Sequence, residues 1–137
     1  MEARVLQAFR DIVGPPGIIT HPEELRTYEC DGLTNFRVMP SAVLIPSNGE
    51  QVQQIVRVCH REKIPFVARG SGTGLSGGAL PCAEGIVISL ARLDRILEMD
   101  IPNQRVVVQP GVFNATVSVA VGPEGYFYAP DPSSQSV

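Results

Sequence analysis

Apolar residues recur every three or four positions in two segments of the chain, which is the spacing of an amphipathic helix. In residues 1–13 they are Val5, Leu6, Phe9, Ile12 and Val13. In residues 47–63 they are Val52, Ile55, Val56 and Cys59. Ser47 and Glu50 have the spacing of a capping box, so the second helix is predicted to begin there. Residues 14–17, Gly-Pro-Pro-Gly, end the first helix because Pro cannot continue one.

Short apolar runs between these helices and after them predict strands at residues 42–45, 65–68 and 85–90. The first run is apolar on both faces, which is typical of a buried strand in a parallel sheet. Because a capped helix separates the first run from the second, we expect a βαβ unit. A short helix is also predicted around residues 23–28.

The pattern changes after Leu93. Residues 95–99 and 105–109 are rich in β-forming residues and flank a turn-like segment, which predicts an antiparallel hairpin. Residues 113–121 predict a short helix. The predicted fold class is therefore α+β, with a parallel first part and an antiparallel second part.

Charge and composition exclude several function classes. The chain of 137 residues has 11 Lys and Arg against 14 Asp and Glu, a net charge of −3, and its basic residues are scattered. Such a chain offers no electrostatic footprint for nucleic acid. No apolar run approaches the roughly 20 residues that cross a bilayer, so no membrane span is expected. The three cysteines are an odd number without a C-x-x-C pair, which predicts reduced thiols, no metal site and a cytoplasmic location.

One loop carries the candidate chemistry. Five of the eleven residues in segment 69–79, Arg-Gly-Ser-Gly-Thr-Gly-Leu-Ser-Gly-Gly-Ala, are Gly. So many glycines cost backbone entropy, which implies a structural requirement for them. Gly72, Gly74 and Gly77 match the Rossmann fingerprint, with Asp94 near the position of its ribose-binding acid. That motif opens a helix, however, and only residues 80–84, interrupted by a proline, precede the next strand.

Two other interpretations concern the same loop. Gly74, Ser76 and Gly78 match the G-x-S-x-G elbow of serine hydrolases, but that elbow needs a later histidine, and His21 and His60 both come earlier. The interpretation that fits best is an anion nest without a helix, in which successive Gly-rich turns aim backbone N–H groups at phosphate oxygens. Hydroxyl donors are supplied by Ser71, Thr73 and Ser76. The loop has no lysine, which excludes an ordinary Walker A loop.

Segment 65–79 closely resembles the pyrophosphate loop of FAD-linked oxidases with a PCMH-type flavin domain, in the vanillyl-alcohol oxidase superfamily. The resemblance runs from Tyr28 through residues 40–46 to residues 130–134. It is closest to glycolate oxidase flavin subunits, D-lactate dehydrogenases and D-2-hydroxyglutarate dehydrogenases. It implies a PCMH-type FAD-binding fold, with a βαβ first subdomain and the beginning of an antiparallel second one. Residues 1–40 would be an N-terminal helix and lead-in, and residues 41–137 the N-terminal part of the FAD-binding domain, without a substrate domain.

The resemblance also implies site residues. The FAD pyrophosphate would be held by the loop residues Arg69, Gly70, Ser71, Gly72, Thr73, Gly74, Leu75, Ser76, Gly77 and Gly78. Pro130, Asp131 and Ser134 would approach the flavin and ribityl side of the cofactor. Members with covalent flavin often carry a histidine where this loop has Thr73, so the FAD is expected to be noncovalent. No catalytic residue and no metal ligand are assigned within the chain.

The implied reaction is FAD-dependent oxidation of a small 2-hydroxy acid such as glycolate or D-lactate. It belongs to a full-length protein of which this chain would be the N-terminal part. The alternative is a non-catalytic fold fragment that binds no cofactor and associates with itself or with partner subunits. Exposed apolar surface motivates this alternative, because large bare patches usually find partners.

Overall fold

The computed structural model describes residues 1–130 and 136, in two compact units, Met1–Arg92 and Leu93–Val137. The first unit contains α1 (Ala3–Val13), β1 (Ile18–Ile19), α2 (Pro22–Leu25), β2 (Ala42–Leu44), α3 (Gly49–Glu62), β3 (Phe66–Arg69) and β4 (Ile86–Ser89). The second unit contains β5 (Ile96–Asp100), β6 (Arg105–Val108) and α4 (Asn114–Val121). The predicted α+β class is confirmed, and each predicted helix and strand is present within about two residues.

The strands of the first unit form one sheet in the order β1-β2-β4-β3. β4 is parallel to both of its neighbours, and Val87 is in register with Val43 on one side and with Val67 on the other. β1 pairs with β2 in antiparallel orientation. The β2–α3–β3 connection predicted from the sequence is therefore present, but its two strands are not neighbours, because β4 lies between them.

The two central strands, β2 and β4, are buried on both faces, as the continuous apolar runs predict. Their alternate residues face opposite sides of the sheet. One side packs against α1 and α3 in a cluster that includes Phe9, Ala42, Leu44, Ile55, Cys59, Ile86 and Ile88. On the other side, Val43 and Val87 pack with Leu25. Burying each large aliphatic side chain contributes about 1.5–3 kcal/mol, so this sheet anchors the loops that leave its edges.

The start of α3 differs by one residue from the predicted capping box. Asn48, not Ser47, is the N-cap, and its Oδ1 accepts from the Gln51 backbone N–H at 2.9 Å. The Gln51 side chain accepts from the Ser47 N–H at 2.7 Å and donates to the Ile12 carbonyl at 2.8 Å. An amide can accept and donate at once, whereas the carboxylate of Glu50 can only accept. The cap therefore also ties α3 to the end of α1.

The second unit contains the predicted antiparallel hairpin of β5 and β6, with Met99 opposite Val106. Its register shifts between Ile96 and Glu98, so the ladder is irregular there. The longest helix in the described part of the chain, α3, has 14 residues, and no helix in that part is long and apolar enough to cross a membrane.

Candidate functional site

The glycine loop leaves the carboxyl end of β3 and returns to the start of β4. The carboxyl edge of parallel strands is the usual place for a ligand in an open α/β sheet. Residues 73–78 are exposed, whereas Arg69, the last residue of β3, is buried. The structure thus presents residues 70–78 of the predicted site as one continuous loop of the first unit, with Arg69 buried at its start.

Two glycines of the loop are required by backbone conformation. Gly72 has φ +76° and Gly77 has φ +79°, in the left-handed region that favours Gly. A Cβ at Gly72 would also collide with the guanidinium of Arg69. At Gly70, Gly74 and Gly78, a Cβ would meet no described atom within 4 Å. The loop is therefore closely packed on its inner side and open on its outer side.

Arg69 occupies the inner side of the loop. Its Nη1 donates to the Cys30 carbonyl at 2.7 Å and to the Ala79 carbonyl at 3.4 Å. The guanidinium lies 5.5 Å from the ring centroid of Tyr28, close enough for a cation–π contact. These contacts place the positive charge of the guanidinium beneath the loop.

The segment before β2 supports the loop, and the sequence interpretation assigned it no role. Asp31 is only 6% exposed. Its Oδ2 accepts from the Gly77 N–H at 2.8 Å and its Oδ1 from the Leu33 N–H at 2.9 Å. The Gly32 N–H donates to the Gly74 carbonyl at 2.9 Å. The only local signal was the Asp-Gly pair, which indicates a turn but not its partner.

Several backbone N–H donors of the loop have no acceptor in the described part of the chain. Within residues 1–130, the N–H groups of Gly74, Leu75, Ser76 and Gly78 donate to no protein atom. Exposed N–H groups beside open glycine positions suit the oxygens of a phosphate or pyrophosphate.

The remaining predicted site residues belong to the second unit. Pro130 is exposed and lines a cavity of about 300 Å³ together with residues of β6 and α4. Asp131 and Ser134 lie outside the described residues.

Comparison with known proteins identifies the cofactor class. Residues 40–137 match the family described as FAD binding domain. The chain is 49% identical to the glycolate oxidase subunit GlcD of Escherichia coli (strain K12), over 96% of this chain and 26% of that protein. It is 39% identical to the glycolate oxidase subunit GlcD of Bacillus subtilis (strain 168), over 80% of this chain and 23% of that protein. The chain thus spans about a quarter of the length of these relatives.

A solved structure of alkyldihydroxyacetonephosphate synthase matches 98% of this chain and 27% of its own, with a TM-score of 0.87. Its sequence identity is 16%, so this likeness shows the fold alone. Since the family match covers most of the sequence, the chain belongs to the family described as FAD binding domain, and its cofactor is FAD.

Proposed function

We propose that the glycine loop holds the pyrophosphate of FAD, and that the chain is the FAD-binding part of an oxidoreductase for a small 2-hydroxy acid such as glycolate or D-lactate. The observation that carries the proposal is the open outer side of the loop. There, backbone N–H groups that have no acceptor within residues 1–130 lie beside glycines that leave room for a ligand.

The proposed binding residues are those of segment 69–78. Each hydrogen bond from a backbone N–H to a charged phosphate oxygen contributes about 1.5–3 kcal/mol, so three or four would hold a pyrophosphate firmly. Ser71, Thr73 and Ser76 are exposed and add hydroxyl donors. The Gly77 N–H already donates to Asp31, so it is not counted as a phosphate donor. Gly77 contributes the left-handed backbone conformation that shapes the loop. Arg69 contributes its buried positive charge from the inner side.

The same proposal covers a second set of binding residues, the mode of FAD attachment and the domain division. Pro130, Asp131 and Ser134 approach the flavin and ribityl side of the cofactor. Thr73 cannot form the histidyl link of covalent flavoproteins, so the FAD is noncovalent. The domain division into residues 1–40 and 41–137 is also proposed, and the start of the family match at residue 40 supports it.

The chemistry would be divided between cofactor and protein. FAD held by segment 69–78 would supply the redox chemistry, namely hydride transfer from the substrate carbon. The residues of this chain bind and orient the cofactor, and none of them is assigned as the catalytic base. The 2-hydroxy acid class rests on the similarity to the two glycolate oxidase subunits.

The proposal is tested by titrating the purified chain with FAD and following flavin fluorescence. Saturable binding of one FAD per chain supports it, and unchanged fluorescence across the titration contradicts it. The flavin should appear in the supernatant after acid precipitation, since covalent flavin would stay with the protein pellet.

A second candidate function is self-association without a cofactor. The observation that favours it is the set of exposed apolar side chains on the second unit, which includes Leu97, Met99, Phe113, Val119 and Phe127. Sedimentation equilibrium separates the candidates. A mass that rises with concentration, in a chain that binds no FAD, supports this second function.

A further inference from the structure

We propose that Asp31 is a positioning residue that presets the glycine loop for the FAD pyrophosphate. The inference rests on the function proposed for the loop and goes beyond it, because Asp31 lies in a different segment and holds the loop from its inner side. Two hydrogen bonds between segment 31–32 and the loop carry the argument.

These two bonds hold the loop at points three residues apart. The Gly32 N–H donates to the Gly74 carbonyl at 2.9 Å, and Asp31 Oδ2 accepts from the Gly77 N–H at 2.8 Å. The stretch from Gly74 to Gly77 is therefore fixed at both ends by two consecutive residues. We call this pair of contacts the inner clamp.

The inner clamp determines where a backbone donor of the loop points. In a trans peptide the C=O and N–H groups point in opposite directions. Because the Gly74 carbonyl points at Gly32, the N–H of Leu75 in the same peptide points away from the inner side. That N–H has no acceptor within residues 1–130, and Leu75 is 66% exposed. The clamp thus aims a free donor at the open side.

Asp31 is suited to this task by its chemistry. A buried carboxylate is unfavourable unless it is hydrogen-bonded, and here each of its oxygens accepts one backbone N–H. Both oxygens of a carboxylate are acceptors, whereas asparagine keeps one acceptor and presents an NH2 group in place of the other. The neighbouring Cys30 is held through its carbonyl by Arg69, so the segment that carries Asp31 is itself fixed.

The experiment compares Asp31→Ala and Asp31→Asn with the control variant Val58→Ala. Val58 is buried in α3 and packs in the core cluster against the sheet, so its truncation destabilises the unit without touching the loop. Two readouts are taken: the dissociation constant for FAD, and hydrogen exchange of the Gly77 amide in the chain without FAD. Urea unfolding of each variant records the loss of stability.

Asp31→Ala should remove the exchange protection of Gly77 and weaken FAD binding at least tenfold. Asp31→Asn should weaken binding less, since one acceptor survives, and it keeps the test decisive if the alanine variant does not fold. Val58→Ala should leave both readouts unchanged. A general loss of stability would move all three variants in the same way.

Three outcomes overturn the inference. They are an unprotected Gly77 amide in the unsubstituted chain, unchanged FAD affinity in both Asp31 variants, and an equal loss of affinity in Val58→Ala. A Gly77 amide that is protected from exchange in a chain that takes up no FAD is distinct from these three outcomes. It contradicts the proposed function, and with it the positioning role, while the clamp stands as a purely structural contact.

Discussion

The α-carbon of Gly32 lies so close to the Thr73 carbonyl that a Cβ at residue 32 would be 2.6 Å from that oxygen. Gly32→Ala must therefore push the glycine loop away from its support. Overpacking of this kind typically costs about 1–3 kcal/mol in the free energy of unfolding. We expect the free energy of unfolding in urea to fall by this amount. FAD binding should also weaken, because the added Cβ would strain the hydrogen bond between Gly32 and Gly74.

The matched control is Gly49→Ala. Gly49 is the first residue of α3, and a Cβ there would meet nothing within 4 Å among the described residues. Alanine is also the better helix former, so the free energy of unfolding should stay the same or rise slightly. Equal destabilisation by both alanines would contradict the close approach at Gly32.

Gly74→Leu should separate ligand binding from stability. A Cβ at Gly74 meets no described atom within 4 Å and its φ lies outside the left-handed region, so the substitution should leave the free energy of unfolding nearly unchanged. The same side chain would fill the space proposed for the pyrophosphate and abolish FAD binding. A variant that still binds FAD with unchanged affinity would show that the cofactor does not approach this face.

Cys59 and Cys82 should differ sharply in reactivity. Burial raises the pKa of the Cys59 thiol to about 11, whereas Cys82 is exposed. Since the thiolate is the reactive form, at pH 8 roughly one Cys59 thiol in a thousand would be reactive even if reagent could reach it. Iodoacetamide labelling followed by peptide mass spectrometry should modify Cys82 in the folded chain and Cys59 only in urea. Modification of both at one rate without urea would contradict the burial of Cys59.

Lowering the pH should weaken the contact between α1 and α3, because protonation of Glu62 removes its ion pair with Arg4. Hydrogen bonds from Arg4, at 2.8 Å, and from Arg61 lower the pKa of the Glu62 carboxyl. A lowered pKa in the folded chain gives stability that is present above the ordinary glutamate pKa of about 4.3 and is lost as the pH falls through the lower value. Arg4→Gln should flatten this part of the pH dependence of urea unfolding. Identical pH profiles for the two proteins would contradict the contribution of this pair, and added salt should reduce the difference because Arg4 is exposed.

Most helices and strands were predictable because the spacing of apolar residues within each segment indicates its secondary structure. The observed helices α1 and α3 were indicated by the apolar stripes around Phe9 and Ile55. The observed strand β2 was indicated by the continuous apolar run 42–45. β1 was not predicted, because two residues are too few to display a period. The position of β4 between β2 and β3 was not predicted either, since strand order depends on long-range pairing and leaves no local pattern.

The candidate site also has a part that the sequence indicated and a part that it did not. Glycine density and the family resemblance indicate the loop, but its support comes from Asp31, which is 46 positions before Gly77. The role of Gln51 was missed for a similar reason, because its carbonyl partner on Ile12 is 39 positions away. Contacts of this kind exist only after the chain has folded, so no spacing within a short window can reveal them.

The central place of β4 has a consequence for the order of events during synthesis. β4 is the last strand of its sheet to leave the ribosome, and among the described residues it is the strand with which β3 pairs. Until residues 86–89 emerge, the hydrophobic layer of the nascent chain lacks the strand that lies between β2 and β3. Joining β4 to β3 closes that layer and at the same moment draws together the two ends of the glycine loop. The glycine loop should therefore acquire its shape in the step that completes the core, because its two ends come together only when β4 joins β3.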